Sequence, residues 1–220
     1  MNSSPLALNK LHLALIAGAA AVFAATSAQA AIIYVDKTAS PISITNSIDG
    51  VYLNVVTGVT GASGAAAPGW DINPYNNGAG LTFYGAASPS GVLATGTPGT
   101  GAVATALALG GLISSAGQFN QFQTVGLQFQ TAGTRFLGFR FLNETTSAQN
   151  YGWLRVVSGG LPSPDGGFPT LITAYGYENT GLSITAGAVA AVPEPATYLM
   201  FAAAIAGALG RRALKARRQA

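Results

Sequence analysis

From residue 31 onward, apolar and polar positions alternate in short runs broken by Gly, Pro, Asn and Ser, the pattern of β-strands with one face in a core. The runs predict strands at Ile32–Val35, Ile42–Ile44, Val51–Val56, Leu81–Tyr84, Val125–Gln130, Phe136–Leu142, Gly152–Val157, Leu171–Tyr177 and Leu182–Thr185. So many short strands fit an all-β sandwich or jelly roll. The clearest pattern is the central one. A period of two places Leu137, Phe139 and Phe141 on one face of their strand, with Gly138 and Arg140 on the other. Tyr151, Trp153 and Arg155 share a face, opposite Leu154 and Val156, and the polar run Asn143 to Asn150 joins the two strands as an antiparallel hairpin. Leu171, Thr173, Tyr175 and Tyr177 are expected along one side of a later strand. Residues 57–69, rich in Gly and small polar side chains, predict a long flexible loop. Within the biased stretch 85–111, Ala102 to Leu109 has the Ala and Leu of a short helix.

The two ends break this pattern. Lys10 precedes the apolar run Leu11 to Ala25, which closes on Ser27-Ala28-Gln29-Ala30-Ala31. Small residues at Ala28 and Ala30 suit the pockets of a signal peptidase, which predicts cleavage between Ala30 and Ala31. An uncleaved anchor is the competing reading, against which the run is short for a span of roughly 20 residues. At the other end, Pro193-Glu194-Pro195 is followed by the apolar run 196–210 and by Arg211, Arg212, Lys215, Arg217 and Arg218. The prolines hold an extended backbone that presents Glu194 to a processing enzyme. The apolar run suits a hydrophobic membrane helix whose basic end stays on the cytoplasmic side. The expected organisation is a signal peptide at 1–30, an all-β extracellular domain at 31–190 and a sorting tail at 191–220.

Charge and composition narrow the chemistry. The formal net charge is +3, but between residues 31 and 190 four basic side chains face six acidic ones, a net of about −2. The basic excess therefore belongs to the terminal segments, and no nucleic-acid partner is expected. There is no cysteine, and the one histidine, His12, lies in the leader. The domain thus has no residues for disulfides, thiolate or His-based metal sites, or a Ser-His-Asp triad. Hydrolysis by paired carboxylates would draw on Glu144, Asp165 and Glu178, of which Glu144 and Glu178 are expected instead to balance Arg140 and Arg155 or to lie in solvated turns. Asp71 and Asn73, with Asn76 and Asn77 nearby, offer a weak calcium site, for which a tight turn is the simpler account. Trp70, Tyr75, Tyr84, Tyr151, Trp153, Tyr175 and Tyr177 are available to stack on sugars or to pack a core.

The Pro-Glu-Pro motif, hydrophobic stretch and basic terminus, in that order, resemble the PEP-CTERM sorting signal. In that family the tail is recognised by a membrane enzyme called exosortase and is thought to be cut, in Gram-negative bacteria that often make exopolysaccharide. The resemblance implies that Pro193, Glu194 and Pro195 are the recognition residues; a permanent anchor after a proline-rich linker is the alternative. The segments Gly138–Phe141, Tyr151–Arg155 and Tyr175–Glu178 are similar to the body of many PEP-CTERM proteins of unassigned function, which implies an extracellular β domain and no known reaction. The expectation is an exported surface or matrix protein with a structural or adhesive role linked to exopolysaccharide or biofilm. A non-catalytic carbohydrate-binding module is the alternative. Neither an enzyme nor a cofactor is expected, and the expected partners are signal peptidase, an exosortase-type enzyme, the membrane through the tail, and exopolysaccharide.

Overall fold

A computed structural model describes residues 31–99 and 101–189. Strands dominate these residues, and no α-helix occurs among them. Fourteen strands join into one mixed sheet. From the edge strand Ile32–Asp36 it runs through Thr170–Glu178, Ala148–Ser158 and Gly133–Asn143 to Gly91–Thr95. It continues through Ala102–Ala104, Thr124–Val125, Leu81–Gly85, Ile72–Asn76 and Tyr52–Leu53. The strand Gly91–Thr95 belongs to both halves, pairing with Arg140 and Phe139 through Gly91 and Val92, and with Ala104 and Val103 through Ala94 and Thr95. The sheet therefore curls, and its two halves share one core. Leu53, Ile72, Leu81 and Phe83 from one half pack with Leu137, Phe139, Leu154, Val156 and Tyr175 from the other. The all-β class matches the alternation in the sequence; the expected signal peptide and C-terminal hydrophobic helix lie outside the described residues.

The predicted hairpin forms, longer than the apolar runs alone indicate. Gly133–Asn143 pairs with Ala148–Ser158 in a register that sets Phe136 opposite Arg155 and Phe139 opposite Gly152. At its tip the Asn143 side-chain oxygen accepts the N–H groups of Thr145 and Thr146 at 2.9 and 3.3 Å, closing the turn. Leu137, Phe139, Phe141, Leu154 and Val156 face the shared core. Tyr151 and Trp153 face a second cluster with Ile113, Phe119, Ala174 and Ile184. Both faces of the sheet are thus covered here, and Trp153 is 1% exposed. Gly152 makes this possible, because a Cβ there would lie 2.5 Å from the Phe139 ring.

The expected row of Leu171, Thr173, Tyr175 and Tyr177 is broken. The register shifts between Arg155 and Val156, so Ile172 and Tyr175 both reach the shared core while Ala174 faces the second cluster. Such a bulge inserts one unpaired residue and re-aims its neighbours. Here that residue is Thr173, whose hydroxyl oxygen accepts the Arg155 Nε–H at 2.8 Å.

The half between residues 50 and 125 departs further from expectation. Residues 102–109 form the strands Ala102–Ala104 and Ala106–Leu107 rather than a helix. A helix that short is marginal alone, whereas pairing with Gly91–Thr95 and with Phe136 and Leu137 gives these residues partners. The expected strand at 125–130 ends at Val125, and a 3₁₀ turn, Leu127–Phe129, buries Phe129. The run from Val51 stops after Leu53 because the Asn54 side-chain oxygen accepts the N–H groups of Val56 and Thr57, each at 2.9 Å. Residues 57–69 are tied down rather than free. Thr60–Gly61 pairs with Tyr52–Leu53, Ala67 is fully buried, and the Asn54 amide donates to the Pro68 carbonyl at 2.9 Å.

Candidate functional site

Three turns meet beside the ends of the core tyrosines: the one begun by Asn54, the one leading into Asp71, and the hairpin tip that carries Glu144. Asp71 immediately precedes the strand Ile72–Asn76 and is 3% exposed. Its N–H donates to the Leu53 carbonyl at 2.9 Å, and its Oδ2 accepts the Val55 N–H at 2.8 Å. Burial pushes the Asp71 carboxyl up to about 8; the Val55 bond opposes this, and the neighbouring charge of Glu144 adds to it. Glu144 is exposed, and its Oε1 accepts the Asn54 amide N–H at 2.6 Å. Gly69 closes the cluster. Its φ is +70°, and a Cβ there would lie 2.8 Å from the Asn54 amide nitrogen and 3.2 Å from the Glu144 carboxylate.

The Tyr177 hydroxyl is raised by burial and then by the charges of Glu144 and Asp71; that of Tyr175 is raised by burial and then by Tyr177. The arrangement holds a proton on Asp71 at neutral pH in a nearly water-free position, next to an ionisable group that faces solvent. It does not join Asp71 to Asn73 as oxygen ligands. The Asn73 amide donates to the Asp49 carbonyl at 2.8 Å, and no cluster of three or more His, Cys, Asp or Glu occurs among the described residues.

The aromatics divide cleanly. Tyr75, Tyr151, Trp153, Tyr175 and Tyr177 are buried, whereas Trp70 and Tyr84 are half-buried and come together with a third ring, Tyr52. Tyr52 and Trp70 meet edge to face with centroids 4.9 Å apart, and Trp70 and Tyr84 lie 6.3 Å apart. Tyr52 and Tyr84 share a side because each alternates with core residues, Val51 and Leu53 in one case and Phe83 in the other. Sequence reasoning overlooked Tyr52; its place between two buried apolar residues was the available signal. Trp70 adjoins Asp71 in the chain, so the rings and the carboxyl pair flank one turn.

Glu178 and Asp165 have hydrogen-bond partners elsewhere. Glu178 is fully buried; its Oε1 accepts the Thr180 N–H and hydroxyl at 2.8 and 2.6 Å, and its Oε2 accepts the Leu182 N–H at 2.6 Å. Asp165 accepts from the Asn46 amide at 2.8 Å beside an open depression of about 380 Å³, also lined by Ile48, Asn76 and Pro164. The expected balance of Glu144 and Glu178 by Arg140 and Arg155 does not form. Arg140 lies over the Phe119 ring at 4.9 Å, and Arg155 bonds Thr38 and Thr173, with Asp36 at 3.8 Å. A local carboxylate-to-N–H bond replaces the cross-strand pair at Glu178, and an amide partner does so at Glu144.

Of the terminal residues, only Ala31 is described; it is exposed, and its carbonyl accepts the Asn179 N–H at 3.2 Å. Ala28 and Ala30 lie outside the described residues, as do Pro193, Glu194, Pro195, Arg211, Arg212, Lys215, Arg217 and Arg218. Residues 191–218 match the PEP-CTERM protein-sorting motif. The chain carries a PEP-CTERM sorting signal. The match takes in the Pro-Glu-Pro motif, the apolar run and the basic side chains through Arg218. That signal supports an exported, cell-envelope-associated protein and implies processing by an exosortase-type membrane enzyme. Comparison with curated proteins and with solved structures finds no match for it. No helix among the described residues is long and apolar enough to cross a membrane.

Proposed function

We propose that the β domain of this PEP-CTERM protein is a non-catalytic structural or adhesive component of the envelope surface or exopolysaccharide matrix, with a role in biofilm. Signal peptidase removes residues 1–30 between Ala30 and Ala31. The run 196–210 then holds the chain in the membrane, arginines inward, while exosortase acts at Pro193-Glu194-Pro195. The observation that carries the reading is the sorting motif at 191–218, which begins directly after the β domain. The hydrogen bonds of Glu144, Asp165 and Glu178 to neighbouring amide groups support it, since each acid has a local task. The half-exposed cluster of Tyr52, Trp70 and Tyr84 favours a second reading, a carbohydrate-binding face, because rings presented on a sheet surface can stack on sugars.

The test is co-sedimentation of the mature protein with the exopolysaccharide of its host, alongside surface adhesion by a strain lacking it. Reduced adhesion in that strain, with Trp70→Ala binding polysaccharide like the wild type, is the expected result. Loss of binding in Trp70→Ala with an unchanged melt moves the function to the aromatic face. Unchanged adhesion and no polysaccharide binding overturn both readings.

A further inference from the structure

The described chain ends in a small apolar surface that the fold itself does not use. Residues 108–112 are strapped to the last described segment. The Gly110 N–H donates to the Ala186 carbonyl at 2.9 Å, the Ala186 N–H donates to the Gly111 carbonyl at 2.8 Å, and Leu112 pairs with Thr185. Gly187 lies so close to Leu109 that a Cβ there would meet its side chain at 2.4 Å. Yet Leu109 is 74% exposed, Leu112 62% and Val189 54%. No charged residue occurs between 101 and 134 or between 179 and 193, so both segments that build this surface are uncharged.

We infer that Leu109, Leu112 and Val189 form a face that rests on the lipid surface of the membrane holding the sorting tail. The inference rests on the reading above, in which residues 196–210 sit in that membrane. Only residues 190–195 then separate Val189 from the apolar run. Six extended residues span at most about 20 Å, which holds the surrounding face of the domain close to the headgroups. Apolar side chains without nearby charge gain by entering the interface, and their contribution scales with the apolar area buried there. A second copy is a poorer occupant, because three side chains present far less than the area of a stable protein interface. The contact would orient the domain before release and present the Pro-Glu-Pro segment at the depth of a membrane-embedded enzyme.

The absence of native cysteine allows a direct test on the full chain. Single substitutions Leu109→Cys and Leu112→Cys, with Ile48→Cys as a control on the surface near Asp165, carry a polarity-sensitive fluorophore. The protein is reconstituted into phosphatidylethanolamine and phosphatidylglycerol vesicles containing a headgroup-proximal spin-labelled lipid. Quenching at 109 and 112 is expected to exceed that at 48 several-fold. Equal quenching at all three positions, in protein that floats with the vesicles, overturns the lipid-facing surface and leaves the tail reading intact. Protein that fails to float sinks both. Concentration-dependent shielding of the 112 probe in the absence of vesicles assigns the face to a second copy and also overturns the inference.

Discussion

The long strands Gly133–Asn143, Ala148–Ser158 and Thr170–Glu178 and most of the short strands between residues 52 and 125 share one sheet but are stabilised by different means. In the long-stranded half, large side chains are covered on both faces, with Phe139 and Leu154 on one side and Trp153 on the other. In the short-stranded half, buried amides organise the backbone. Asn120 holds both backbone groups of Gly99 and also reaches the Phe122 carbonyl and the Thr124 hydroxyl. Asn76 accepts the N–H groups of Gly78 and Gly80. Burial of apolar area tolerates imperfect geometry, whereas a buried amide stabilises only while its partners stay in place. The first half is therefore expected to respond to lost volume and the second to lost partners.

The largest effect should come from Trp153→Ala, which removes a fully buried indole and is expected to cost about 3–5 kcal/mol in denaturant unfolding. A cost below about 1 kcal/mol would show that the second apolar cluster contributes little, and would remove one side of the contrast.

Asp71 comes next, and its effect depends on pH. The folded carboxyl keeps its proton to about pH 8, whereas in the unfolded chain it ionises near pH 4. Across that window the unfolded state binds fewer protons, so stability falls as pH rises from 4 to 8. The domain carries no histidine to mask this. Asp71→Asn can still accept the Val55 N–H, so it should abolish most of the decline. Parallel urea midpoints for wild type and variant across the window would contradict the burial argument.

Asn120→Ala should cost about 1–3 kcal/mol by stranding the Gly99 groups. Asn120→Leu should be no better; rescue by Leu would mean that volume, not partners, governs this half as well. The smallest effect is expected from Trp70→Ala, roughly 1 kcal/mol, since the ring is only half-buried. A loss matching that of Trp153→Ala would make Trp70 a core residue and remove the case for a sugar face.

The same contrast decides what can be read without a structure. The hairpin was legible because Leu137, Phe139, Phe141, Leu154 and Val156 are large and alternate without interruption. Ile72–Asn76 was not, since it contains a proline and two asparagines, residues that signal turns. Its place in the sheet follows from pairing with Leu81–Gly85 and from bonds such as Val51 N–H to the Pro74 carbonyl. The bulge at Thr173 has no local signature either. Asp71, Asn54 and Glu144 come together only through three turns far apart in the chain, so no spacing announces them. The sorting motif was legible in full because a processing enzyme reads it as linear sequence.

That motif carries the central claim, that a folded β domain is delivered to the envelope and then separated from its tail. Intact mass of the envelope and released fractions tests it, for wild type and for the triple variant Pro193→Ala, Glu194→Ala and Pro195→Ala, in a host with an exosortase. Wild-type protein should lack both residues 1–30 and the segment from Arg211 to Ala220, whereas the triple variant should be exported and folded but retain its tail in the membrane. Mature wild-type protein that still carries Arg211 to Ala220 would contradict the claim and leave a permanent anchor in its place.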